Sequence, residues 1–121
     1  MATLHQKLAV VVVLGALLGT LWAWYRAYTG STTRRLLTAG WIMSGLTLLE
    51  GAIGAVLGAT GSRPDSGAHF IIGPLTLLPL PAGLVASRWL SPRAAAVAVA
   101  AGWLLTTGLA LRATGSGGLG G

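Results

Sequence analysis

Four apolar stretches separated by short polar breaks fill nearly the whole of this chain, and no other feature limits its fold as tightly. They run from about Leu8 to Tyr25, Leu36 to Ala59, Ala68 to Ala86, and from Ser91-Pro92 to about Leu111. Each is close to the roughly 20 residues an α-helix needs to cross a bilayer. Soluble domains carry about a quarter charged residues, whereas 8% of these 121 residues are charged and 54% are hydrophobic. In hydrocarbon the backbone must satisfy its own hydrogen bonds, which makes each stretch a helix. The expectation is an all-α, polytopic membrane protein, an antiparallel four-helix transmembrane bundle with short connections.

Local punctuation sets the boundaries. Thr3 with Gln6 fits a capping box, starting the first helix at Leu4 with His5 in its first turn. That helix ends in Trp22, Trp24, Tyr25 and Tyr28 around Arg26, an aromatic belt at a membrane surface. Lys7 before an apolar run also suits a signal peptide, but no clear small-x-small cleavage site follows, which favours an anchor. Gly30-Ser31-Thr32-Thr33 supplies N-caps for the second helix, and Ser91-Pro92 starts the fourth. Pro74, Pro79 and Pro81 remove three backbone donors within the third helix, which is expected to be broken there. The resulting division is a four-helix domain over 1–112, with helices at about 4–28, 36–59, 68–87 and 92–111, followed by a flexible glycine-rich tail over 113–121.

The net charge is +6, yet the basic residues stand singly or in pairs at the ends of apolar stretches. That is the pattern of topology signals, not of a nucleic-acid surface. Arg26, Arg34, Arg35, Arg88 and Arg93 fall on one side; Lys7, Arg63 and Arg112 fall on the other, with Asp65. The five-charge side is expected to be cytoplasmic and both termini external, in a bacterial inner membrane. With no cysteine, disulfides and thiol chemistry are excluded. Gly15-xxx-Gly19, Gly54-xxx-Gly58 and the Ala94, Ala98, Gly102 stripe let helix backbones approach closely, within the bundle or against a partner subunit.

His5 and His69 are the only histidines, and the topology puts both at the external end, on diagonal helices. Two imidazoles so placed can be axial ligands of haem b, with Asp65 as a hydrogen-bond acceptor behind His69. The plainer alternative is a pair of interfacial histidines. The run Leu48-Leu49-Glu50-Gly51-Ala52-Ile53-Gly54, a polar loop, then Ala68-His69-Phe70 resembles one four-helix half of the haem A synthase family. The Leu4-His5 start is similar to small b-type haem bundles of the cytochrome b561 kind. The resemblance implies a helical haem-binding bundle in which His69 is a ligand; Glu50 stands where it would favour glutamine.

Glu50 lies nine positions before Ala59, or about 13 Å into the bilayer. A carboxyl group there is costly and is a functional candidate by default. One reading is a proton site, as in small four-helix exporters, which this chain resembles in length and helix count. The structural reading has a protonated Glu50 donating to the carbonyls of Leu75 and Leu77, freed by Pro79 and Pro81. No phosphate-cradling loop, catalytic triad or paired-carboxylate site is present in the sequence, so catalysis by this chain alone is not expected. The functional expectation is a small accessory subunit of a larger membrane complex of respiratory or photosynthetic electron transfer. It would bind other membrane subunits and lipid, and would hold haem b or pack on pigment or quinone. The alternatives are a proton-coupled transporter using Glu50, or a haem-handling membrane enzyme or chaperone.

Overall fold

A computed structural model describes the backbone of residues 2–60 and 69–117, with side chains over 3–60 and 71–113. It contains α1 (Ala2–Thr29), α2 (Arg34–Ala59), α3 (His69–Leu75), α4 (Pro79–Ala86) and α5 (Pro92–Gly117), with no strand among the described residues. Four spans, Thr3–Thr29, Arg34–Ala59, Ile71–Trp89 and Pro92–Ala113, are long and apolar enough to cross a membrane. The protein is an all-α, integral-membrane four-helix bundle whose third span is divided into α3 and α4.

The turn between α1 and α2 shows how short sequence signals close a helix. Gly30 adopts φ 89°, a left-handed conformation that L side chains resist. Its N–H donates to the carbonyls of Arg26 and Ala27 at 3.0 and 3.1 Å, and the Ser31 N–H reaches the Arg26 carbonyl at 3.2 Å. These are the paired bonds of a Schellman cap. Thr33 then caps α2, its hydroxyl accepting from the Leu36 N–H at 3.2 Å. Ser91 caps α5 in the same way, accepting from the Ala94 N–H at 3.4 Å.

Two boundaries differ from the sequence expectation. The helix α1 already includes Ala2 and Thr3, so Thr3 is an internal helical residue and not a cap. Likewise α5 continues through Gly117, so residues 113–117 are helical, not tail. No proline follows Pro92 to interrupt the i→i+4 ladder.

In the third span, Pro74 lies inside α3 and Pro79 is the first residue of α4. Between them the ladder tightens to i→i+3: Leu77 N–H donates to Pro74 and Leu78 N–H to Leu75, at 3.0 and 3.2 Å. The Leu75 carbonyl, expected to be stranded, is therefore satisfied by its own turn. Pro79 and Pro81 fall in the first turn of α4, where a missing N–H has no intrahelical partner to lose.

The most enclosed span is α5, half of it buried. It packs on α1, α3 and α4, while α2 packs on α1 and more lightly on α4. Trp103 fills the centre, with Val12, Leu36, Leu80, Leu84 and Val99 among its core neighbours. Small residues set the close approaches, all inside the bundle. A Cβ on Gly19 would collide with the Trp103 ring, and one on Gly15 would sit 2.5 Å from Met43 Cε. One on Gly83 would sit 2.5 Å from the Ala98 carbonyl oxygen.

Candidate functional site

The short turn at 30–33 makes α1 and α2 antiparallel neighbours, so the start of α1 lies against the second half of α2. There His5 Nδ1 approaches Glu50 Oε1 at 3.5 Å. His5 is 8% exposed, and the Glu50 side chain is 20% exposed. The distance is long for a hydrogen bond but suits an ion pair when the imidazole carries a second proton. The two titratable side chains that the sequence assigns to different partners thus meet each other. Glu50 faces α1 in this pairing, in place of the Leu75 and Leu77 carbonyls expected for it.

Gly54, one helical turn beyond Glu50, is the seat of the imidazole. A Cβ there would stand 2.8 Å from His5 Cε1 and 3.4 Å from Nε2. Any larger residue would push the ring off α2 and away from the carboxylate. Sequence reading assigns Gly54 to helix packing; the signal for its second role is the lone histidine at matching distance from the α1–α2 turn. A carboxylate set beside one ring nitrogen orients the imidazole and favours one tautomer.

His69 begins α3, at the end of the bundle where α2 finishes; its side chain lies outside the described residues, as does Asp65 altogether. Among the described residues no three His, Cys, Asp or Glu side chains cluster to hold a metal ion, and a haem iron needs only two axial ligands.

A second polar group sits in the bundle core. The Thr20 and Thr107 hydroxyls lie 2.9 Å apart between α1 and α5, one donating to the other, and the one that accepts donates to its own helix, at the Ala16 or the Trp103 carbonyl. Near them on α5, Trp103 Nε1 and the Thr106 hydroxyl are buried with no hydrogen-bond partner among the described residues. Outside, a groove of about 360 Å³ runs between α2 and the broken span, lined by Trp41, Ser44, Gly45, Leu48, Leu77 and Pro81. Its walls are apolar apart from the Ser44 hydroxyl, which donates to its own helix at the Gly40 carbonyl.

No family model matches this chain, and no curated protein or solved structure matches it at a significant level.

Proposed function

We propose that this chain is a small subunit of a larger electron-transfer assembly in a bacterial inner membrane, with His5 as its contact to a haem b. The reading rests on the Glu50 carboxylate 3.5 Å from His5 Nδ1 within an apolar span. A partly buried carboxyl group is expensive in a membrane helix and needs a purpose. Orienting an imidazole is such a purpose, because it holds the ring in one pose. His69, at the same end of the bundle, is the residue we assign as the second axial ligand. Haem held by two histidines would carry one electron at a time. Glu50 supports His5 in this reading, and Asp65 keeps the supporting role the sequence suggests for it behind His69. The groove beside Trp41 is of a size that suits a pigment or quinone tail, and the remaining partners are other membrane subunits and lipid. Both termini lie on the external side in this reading.

A second reading, a proton-coupled transporter built on Glu50, draws on the interruption of the third span at Thr76–Leu78, since broken helices line transport sites. One set of measurements separates the two. The purified protein should show a Soret and α-band in its reduced-minus-oxidised spectrum, lost or altered in both His5→Ala and His69→Ala. A featureless spectrum, or one unchanged in both variants, removes the haem assignment. Proton flux in proteoliposomes that disappears with Glu50→Gln would establish the transporter instead.

A further inference from the structure

The end of the bundle opposite His5 gathers charge of one sign. Five of the eight basic residues are there: Arg26 at the close of α1, Arg34 and Arg35 opening α2, Arg88 after α4, and Arg93 opening α5. The chain has only two acidic side chains. Glu50 pairs with His5 at the other end, and Asp65 lies in the connection that follows the C-terminus of α2. Among the described residues no carboxylate pairs with these guanidinium groups.

One of the five is held by hydrogen bonds and a second lies against the same turn. Arg26 donates from Nε to the Ser31 carbonyl at 3.2 Å and from Nη2 to the Ser31 hydroxyl at 3.0 Å. Arg93 comes across from α5 and lies over Gly30, its Nη2 2.9 Å from where a Cβ would be. Guanidinium groups from two helices therefore rest on adjacent residues of one turn. The turn needs neither of them, since Gly30 and Ser31 already close on the carbonyls of α1. In the same turn the Thr32 hydroxyl oxygen is buried with no hydrogen-bond partner among the described residues. Planar guanidinium forks match the oxygens of a phosphate group, and holding one beforehand reduces the entropy lost on binding.

The surroundings say which phosphate. Tyr28 is 85% exposed and Trp89 76%, and both stand at this end of the bundle. Outward aromatic rings beside arginines mark the headgroup layer of a membrane, where the abundant anion is a lipid phosphodiester. We propose that the Gly30–Ser31 turn, flanked by Arg26 and Arg93, is a binding site for the headgroup of an anionic phospholipid.

The test uses the full chain, delipidated in neutral detergent and titrated with phosphatidylglycerol, phosphatidylcholine or inorganic phosphate under native mass spectrometry. Phosphatidylglycerol should be retained in preference to phosphatidylcholine, and this preference should shrink as salt rises. Arg26→Gln and Arg93→Gln should each weaken phosphatidylglycerol binding about fivefold, and the double variant about 25-fold. Arg93→Lys, which keeps the charge and loses the fork, should fall between wild type and Arg93→Gln. Arg112→Gln, at the opposite end, should bind as wild type. Equal retention of the two lipids by wild type, or wild-type binding by the double variant, overturns the proposal. Displacement of the lipid by millimolar inorganic phosphate does so too, because the site would then be for free phosphate. If the double variant loses its helical circular dichroism, the salt response of wild type and the Arg93→Lys result still decide the matter.

Discussion

Replacing single glycines by alanine should separate the packing strength of this bundle from the helix propensity of its parts. Gly83, Gly15 and Gly108 are all inside helices, so each alanine gains about 0.5–1 kcal/mol from backbone entropy. Only what the new methyl group meets differs. At Gly83 it meets the Ala98 carbonyl oxygen at 2.5 Å, about 1 Å short of ordinary contact. A backbone atom in the middle of α5 cannot swing aside, so α4 and α5 must move apart. A gap of 0.5–1 Å forfeits about a quarter to a half of each dispersion contact across the interface, and overpacking of this kind costs about 1–3 kcal/mol. At Gly15 the distance is the same, but the obstacle is Met43 Cε, the free end of a flexible side chain that can change rotamer. At Gly108 nothing lies within 4 Å. Subtracting the Gly108→Ala result cancels the propensity gain, leaving Gly83→Ala lower by about 1–3 kcal/mol and Gly15→Ala by less than about 1 kcal/mol. Unfolding in mixed micelles with rising dodecyl sulfate, followed by far-ultraviolet circular dichroism, measures all three. Gly15→Ala as damaging as Gly83→Ala would show that distance alone, not the rigidity of the neighbour, governs the cost. Equal stability of Gly83→Ala and Gly108→Ala would mean that α4 and α5 are not in close contact.

Glu50→Ala should lower stability by about 1–3 kcal/mol, because it removes the carboxyl group beside the buried His5 imidazole. Glu50→Gln should stay close to wild type, since its amide oxygen remains a partner for Nδ1; the same micelle titration reads both. Thr106→Val removes a buried hydroxyl with no partner among the described residues, so it should leave the unfolding midpoint unchanged or raised; a clear fall would show that the hydroxyl is hydrogen-bonded in the membrane. A reporter fused after Arg112 should be exposed on the external side, as the arginine distribution requires, and a cytoplasmic signal would invert the orientation.

The spans were legible because each is announced locally, by apolar length and by residues such as Thr33, Ser91 and Pro92 that act on their own backbone. The break in the third span was legible for the same reason, since a proline's missing donor acts wherever it stands. The meeting of His5 with Glu50 was not legible. It depends on the register of α1 against α2, which is set by side chains such as Met43 seated on Gly15 and by the ring of His5 seated on Gly54. Counting depth from the polar loop after Ala59 put Glu50 well below His5. In the structure α2 runs on past the start of α1, bringing His5 level with Glu50 and Gly54. The Leu75 carbonyl was expected to need a distant donor, whereas it is served by Leu78 three residues away.

A span that is already in two pieces cannot be handed to the bilayer as a finished rod. The seven residues of α3 and eight of α4 each rise only about 10–12 Å, far short of the roughly 30 Å hydrocarbon layer. Helices of that length scarcely hold their own hydrogen bonds, and this span is the least apolar of the four. Its second half is completed by α5, whose Gly102 admits the backbone of Pro79 and Leu80 and whose Ala98 meets Gly83. Because α5 follows the third span in the chain, the surface that completes α4 is made after α4 itself. The two halves of the third span are thus held by a helix that comes later in the chain and also packs on α1.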